Sequence, residues 1–261
     1  MQMRKSVQNL KVIENLQLND DHHILVLHVP DQLEDIFPGQ FANILVDRSQ
    51  SIFLRRPFSI HTVDYKNNTI SILIKEVGEG TRSLAQTPIH SNLNVIFPLG
   101  NGFTIPSSKE KVLLVGGGCG IAPLLNLAQV LSRELNDVSI LLGARSAVDL
   151  VELDQYAMYG QVFTTTEDGS IGEKGFVTDH SIFDANLDSF SRVYCCGPEP
   201  MMKAVALKAQ TSSVICEVSL ENTMACGFGV CLCCVTDTKQ GHKCVCSDGP
   251  VFNINQLKWQ I

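Results

Sequence analysis

Charge is scarce in this sequence: 18% of the residues are charged, and 27 Asp and Glu outnumber 20 Lys and Arg. The net charge of -7 and the scattering of the basic residues exclude the positive stripe that a phosphate backbone needs, so no nucleic acid is expected as partner. Long apolar runs are missing too. None approaches the roughly 18–20 residues that span a bilayer, so no membrane insertion is expected. The opening MQMRKSVQNL has no apolar core of signal-peptide length, which leaves the cytoplasm as the expected compartment. There is no G-x-S-x-G, no H-E-x-x-H and no Walker loop, and none of the histidines has ligand or catalytic spacing. His22 and His23 are expected to be solvated, and His28, His61, His90, His180 and His242 read as ordinary residues. No catalytic acid, base or nucleophile is therefore expected.

What remains is rich in apolar residues, 44% of 261, enough for two domains and a small appendage. Residues 1–105 read as an antiparallel β domain. Short apolar runs at Ile24–Val29, Phe41–Val46, Phe58–His61, Thr69–Ile74 and Leu93–Phe97 are separated by turn-forming residues. Strands at this spacing predict a closed or nearly closed barrel. Residues 106–215 read as an α/β domain. Fully apolar strands at Val112–Val115, Val138–Leu142, Gln161–Thr165 and Val193–Cys196 alternate with helical patterns, as in a parallel sheet covered on both faces. The first helix has Pro123 in its first turn and Leu124, Leu127, Ala128, Leu131 and Leu135 on one face. Residues 216–261 form the appendage.

Two loops of the α/β domain suit a nucleotide. Gly116, Gly117, Gly118 and Gly120 lie between a buried strand and a helix, where backbone amides and the helix N-terminus can meet a pyrophosphate. The spelling departs from the usual dinucleotide fingerprint, since Ile121 stands where Gly or Ala is expected, and a turn without ligand has the same grammar. The second loop, Cys196, Gly197 and Pro198, also follows an apolar strand and precedes a helix. In an open parallel sheet both loops would lie at the carboxyl ends of the strands. In the barrel, Arg55-Arg56-Pro57-Phe58-Ser59 opens a strand. Arg56 suits a phosphate, Phe58 a planar ring and Ser59 a hydrogen bond to it, although a surface Arg pair before an ordinary strand reads the same way. Gly80 and Thr81, in an amide-rich stretch, suit the phosphates of the same ligand.

Cysteine is the most specific signal. Seven of the ten (Cys216, Cys226, Cys231, Cys233, Cys234, Cys244 and Cys246) fall in the appendage, and in a cytosolic chain such a cluster reads as metal binding before disulfides. Cys226, Cys231 and Cys234 have the C-x4-C-x2-C spacing of a plant-type [2Fe–2S] cluster, with Cys246 the choice over Cys244 for the fourth ligand. The alternative is structural zinc on Cys231, Cys234, Cys244 and Cys246, but Cys244-x-Cys246 is too tight for a zinc knuckle. So small a unit is expected to dock on the other domains, with exposed apolar residues around the cluster loop meeting a partner.

The order of these features, with GGGCGIAP and CGPEPM in the middle, resembles the ferredoxin-reductase superfamily. The stretches Val218–Glu221 and Met224–Gly227 and the closing Cys246-Ser247-Asp248-Gly249-Pro250-Val251-Phe252 make it similar to the electron-transfer subunits of NAD-linked (class 1B) dihydroorotate dehydrogenase. That resemblance implies FAD held by Arg56, Pro57, Phe58, Ser59, Ile74, Lys75, Gly80 and Thr81. It implies NAD(H) on the two glycine loops, although Arg145 leaves NADP open. The implied partner is an FMN-containing catalytic subunit that oxidises dihydroorotate in pyrimidine biosynthesis, in a heterotetramer with two copies of each. A transhydrogenase, a sulfide-linked reductase and a glutamate-synthase-like complex are the alternatives within redox chemistry. Outside it stands a zinc-stabilised nucleotide-binding regulator.

Overall fold

A computed structural model describes residues 5–47, 51–185 and 187–259. Its first unit is a closed barrel of six strands, in the order β1-β2-β5-β4-β3-β6. They are β1 (Ser6–Gln17), β2 (His22–His28), β3 (Phe41–Ile44), β4 (Arg56–Asp64), β5 (Thr69–Lys75) and β6 (Asn92–Leu99), and all neighbours are antiparallel. Helix α1 (Glu79–Ala85) follows β5. Leu10, Leu25, Ile44, Ile60, Ile70, Ile72, Ile74 and Val95 are wholly buried inside. The strand that no apolar run announces is β1. Its alternation slips where a bulge lies between Val12 and Glu14, and most of its residues stay partly exposed.

The second unit is a sheet of seven strands in the order β10-β9-β8-β7-β11-β12-β15. Here β7 (Lys111–Gly117), β8 (Asp137–Ala144), β9 (Gln161–Thr166), β10 (Glu173–Lys174), β11 (Arg192–Cys196) and β12 (Ile215–Ser219) are parallel. Helices α2 (Ala122–Arg133), α3 (Leu153–Ala157), α4 (Ile182–Ala185) and α5 (Glu199–Thr211) accompany them. The chain turns back at β7, which has β8 on one side and β11 on the other. That switch point is where the carboxyl ends of a doubly wound sheet open a ligand crevice. Helix α2 buries Leu124, Leu125, Leu127, Ala128 and Leu131 as its periodicity requires. Leu135 differs from expectation: the helix ends at Arg133, and Leu135 takes a left-handed turn (φ 59°) with its side chain in solvent. His22 also differs, being buried beside Asp21 at 2.7 Å.

The cysteine-rich segment is anchored on both units. A hairpin of β13 (Val235–Thr238) and β14 (Gly241–Cys244) precedes β15 (Val251–Asn253), which pairs antiparallel with β12 as the sheet's last strand. Cys234, Val245, Cys246 and Phe252 share one core with Phe41 and Leu99 of the barrel and Val115, Val193 and Val218 of the sheet. The amide of Asn101 donates to the Gly249 carbonyl at 2.6 Å, closing the segment onto the end of the barrel. A unit with so little core of its own is thus held by its neighbours. No helix among the described residues is long and apolar enough to cross a membrane.

Candidate functional site

The barrel motif sits at the start of β4, where Arg56, Pro57, Phe58 and Ser59 pair with Ile44, Asn43, Ala42 and Phe41 of β3. All four motif residues are half-buried. The two arginines divide their work. Arg55 is spent on the fold, donating to the Asn94 carbonyl at 2.9 Å and to the Asn94 side chain, and burial pushes its pKa down. Arg56 ion-pairs with no carboxylate among the described residues and donates to the Leu54 carbonyl at 2.8 Å. It lies over α1, since a Cβ on Gly80 would stand 3.1 Å from Arg56 Nε. A guanidinium without a carboxylate partner, above a bare backbone, has the chemistry that suits a phosphate. The Thr81 hydroxyl accepts from the amides of Val77 and Gly78 at 2.9 and 3.0 Å and so shapes that turn. Ile74 is fully buried in the barrel, and Lys75 stands between Asp21 at 3.5 Å and Asp149 at 3.4 Å.

The two glycine loops come together because β7 and β11 are neighbours. A Cβ on Gly120 would sit 2.4 Å from the backbone of Cys196 and Gly197, and one on Gly117 would strike Met201 at 2.3 Å. At Gly120, where the obstacle is backbone, only glycine permits that approach. At Gly118, with φ 54°, a Cβ would meet nothing within 4 Å, so the outer face of the loop is open. Gly116 packs against Leu124 and Ile121 instead. Pro198 leads into α5, just past the Cys196–Gly197 turn. Cys196 is buried as a whole, its thiol donating to the Ser219 carbonyl at 3.6 Å and its backbone packed against Gly120. Beside the loops, burial and then Glu221 push the Cys119 thiol up to about 11. The Glu221 carboxyl keeps accessible surface, yet enough protein surrounds it for desolvation to raise its pKa as well.

In the cysteine-rich segment the thiols lie close to one another. Cys226 and Cys231 face each other, and Cys234 faces Cys246 and also Cys244. Backbone amides converge on sulfur: Phe228 and Val230 donate to Cys226 Sγ at 3.5 and 3.4 Å, and Gly229 donates to Cys246 Sγ at 3.1 Å. Burial opposes ionisation of Cys226, but the amides of Phe228, Cys231 and Val230 outweigh it and bring its pKa down to about 6. Burial and the adjoining Cys234 push Cys246 up to about 12. Cys231 and Cys233 are exposed, whereas Cys234, Cys244 and Cys246 are buried. Among the described residues no three Cys, His, Asp or Glu side chains converge to hold a single ion.

Two residues near these groups escape a sequence reading. Asn43, wholly buried on β3 opposite Pro57, donates from Nδ2 to the Cys226 carbonyl at 3.3 Å. A Cβ on Gly227 would lie 2.6 Å from that same nitrogen. His61, two residues beyond the barrel motif, is buried against the α/β domain. No spacing signals either contact, because their partners lie 183 and 61 residues away.

Residues 221–258 match the iron-sulfur cluster binding domain of dihydroorotate dehydrogenase B, and residues 114–207 match the oxidoreductase NAD-binding domain. The dihydroorotate dehydrogenase B (NAD(+)) electron transfer subunit of Shouchella clausii is 36% identical, over 98% of this chain and 99% of its own length. That of Caldanaerobacter subterraneus subsp. tengcongensis is 42% identical, over 82% of this chain and 84% of its own. Among solved structures, an NADH-dependent reduced ferredoxin-NADP oxidoreductase studied for flavin-based electron bifurcation is 30% identical, with a TM-score of 0.85 over 97% of this chain and 91% of that one. The ferredoxin reductase of carbazole 1,9a-dioxygenase shares the fold, with a TM-score of 0.71 at 21% identity over 82% of this chain and 68% of that one. Identity of this order along almost the whole length, cysteine segment included, means that the chain belongs to the family of NAD(+)-linked dihydroorotate dehydrogenase B electron transfer subunits.

Proposed function

We propose that this chain carries electrons between NAD(H) and a separate FMN-containing catalytic subunit that oxidises dihydroorotate, in a cytoplasmic heterotetramer with two copies of each. When bound, nicotinamide exchanges hydride, a [2Fe–2S] cluster exchanges single electrons, and FAD does both and stands between them. The single observation that carries the reading is Asn43, which pairs with Pro57 of the barrel motif and touches the Cys226 loop. Flavin strand and cluster loop are in direct contact.

In this reading Arg56 and the backbone at Gly80 and Thr81 hold the FAD phosphates, and Pro57, Phe58 and Ser59 line its ring with the ends of β4 and β5, near Ile74 and Lys75. Gly116, Gly117, Gly118 and Gly120 approach the pyrophosphate of NAD(H) from one side, and Cys196, Gly197 and Pro198 from the other. Cys226, Cys231, Cys234 and Cys246 ligate the cluster. The C-x4-C-x2-C spacing of Cys226, Cys231 and Cys234 supports two irons over one tetrahedral zinc, and the Gly229 amide on Cys246 supports that residue over Cys244. The functional units are residues 1–105 for FAD, 106–215 for NAD(H) and 216–261 for the cluster.

The likeness to the NADH-dependent reduced ferredoxin-NADP oxidoreductase favours a second reading, in which the same cofactors serve another flavoprotein. A visible spectrum of the chain purified with its partner, taken anaerobically, separates the two. Dihydroorotate should bleach the flavin and iron–sulfur bands, and NAD should restore them. Bleaching by NADH alone would retain the carrier and remove the pyrimidine assignment. Cys226→Ser or Cys231→Ser should abolish the iron–sulfur absorbance and spare reduction of the flavin by NADH. Loss in Cys233→Ser with none in Cys234→Ser would refute the ligand register.

A further inference from the structure

Strand β4 does more than carry the flavin motif. Two residues past Ser59 it turns His61 toward the α/β domain, where the ring is 1% exposed. Nδ1 lies 2.8 Å from the Ala122 carbonyl and Nε2 lies 2.7 Å from Glu152 Oε2. Ala122 opens α2 directly after the first glycine loop. A carbonyl and a carboxylate are both acceptors, and a neutral imidazole has one N–H to offer them. The ring thus has an acceptor at each nitrogen, and a hydrogen bond to a carboxylate is directional and strong.

The partner on the α/β side is also held in place. Glu152 takes a left-handed conformation (φ 60°) that residues with a side chain seldom adopt. Its carbonyl accepts from the amides of Gln155 and Tyr156 at 2.9 and 3.2 Å, which starts α3. The Tyr156 hydroxyl then donates to the Ile121 carbonyl at 2.7 Å, one residue before the carbonyl that His61 holds. Asn19 donates to Val148 at 2.6 Å and Lys75 meets Asp149 at 3.4 Å, so the barrel grips the stretch Val148–Glu152 at successive points. His61 is the point that also reaches the glycine loop.

We propose that His61, paired with Glu152, is a positioning residue that fixes the barrel strand carrying Arg56–Ser59 against the loop Gly116–Ile121. It thereby sets the approach of nicotinamide to flavin. A polar latch serves this purpose better than apolar packing, because it fixes direction as well as distance. The inference rests on the proposed placement of FAD and NAD(H) for its effect on hydride transfer, while the latch itself is a contact between parts of this chain.

The test uses the purified holoprotein, with His61→Gln, Glu152→Gln and the double variant. Glu152→Gln keeps the shape of the carboxylate and covers the case in which His61→Gln fails to fold. Anaerobic stopped-flow should find flavin reduction by NADH slowed on the order of tenfold to a hundredfold. The apparent affinity for NADH and the flavin and cluster content should stay as in the parent. The double variant should lose no more than either single, as residues acting as one unit do. Amide exchange should rise in 116–125 and 147–156 and stay unchanged in the cluster loop. Equal reduction rates in folded variants would overturn the latch alone. A parent protein whose flavin NADH cannot reduce would overturn the cofactor reading and the positioning role with it.

Discussion

Asn43 shows how much one buried side chain can join. Its amide nitrogen meets the Cys226 carbonyl at 3.3 Å, while its Oδ1 is buried without a partner among the described residues. An unpaired buried acceptor costs about 1–3 kcal/mol, so a position that packing alone decided would favour an apolar residue. Asn43→Leu is therefore expected to leave the fold standing, with a change in stability of at most about 3 kcal/mol. Its effect should fall on the hand-over between flavin and cluster, which depends on how the Cys226 loop is held. Stopped-flow at flavin and iron–sulfur wavelengths should show normal reduction of the flavin by NADH and slower reduction of the cluster. If both phases keep their rates, Asn43 packs the interface and does nothing more.

At the scale of the element, the two glycine loops work as a pair because β7 and β11 deliver them side by side. The Cβ of Gly120→Ala would sit 2.4 Å from the backbone of Cys196 and Gly197, and a backbone cannot swing away as a side chain does. The loops must part, with an overpacking cost of about 1–3 kcal/mol. NADH titration should show weakened binding while flavin and cluster content persist; unchanged affinity in a folded variant would remove this contact from the nucleotide site. The loops were legible in the sequence because each is a local pattern, an apolar strand running into glycine and then a helix. Most barrel strands and the spacing of Cys226, Cys231 and Cys234 were legible for the same reason. Strand β1 was not, because its bulge breaks the alternation and its outer residues face solvent. Asn43 and His61 were not legible either, since each acts only through a partner that folding brings from a distant part of the chain.

Across the whole molecule, one core runs from the barrel through the sheet into the cysteine segment, so the cluster loop is braced from behind and bare in front. Phe228, Val230 and Leu232 are 43%, 73% and 64% exposed on that loop, alternating with the exposed Cys231 and Cys233. An electron transfer subunit must bring its cluster close to the subunit it serves, and this apolar front is the side where the cysteine loop reaches the surface. Burying an aliphatic side chain of this size contributes about 1.5–3 kcal/mol, so losing one should weaken association about tenfold to a hundredfold. Leu232→Glu removes that burial and adds a charge that an apolar interface would have to desolvate. Size-exclusion titration against the catalytic subunit should show the weaker assembly. The iron–sulfur spectrum and the reduction of flavin by NADH should match the parent, because neither depends on the outward face of the loop. Undiminished association in a variant that keeps its cluster would mean that the catalytic subunit approaches from another side, and the electron would then have to leave through the buried flank at Cys234 and Cys246.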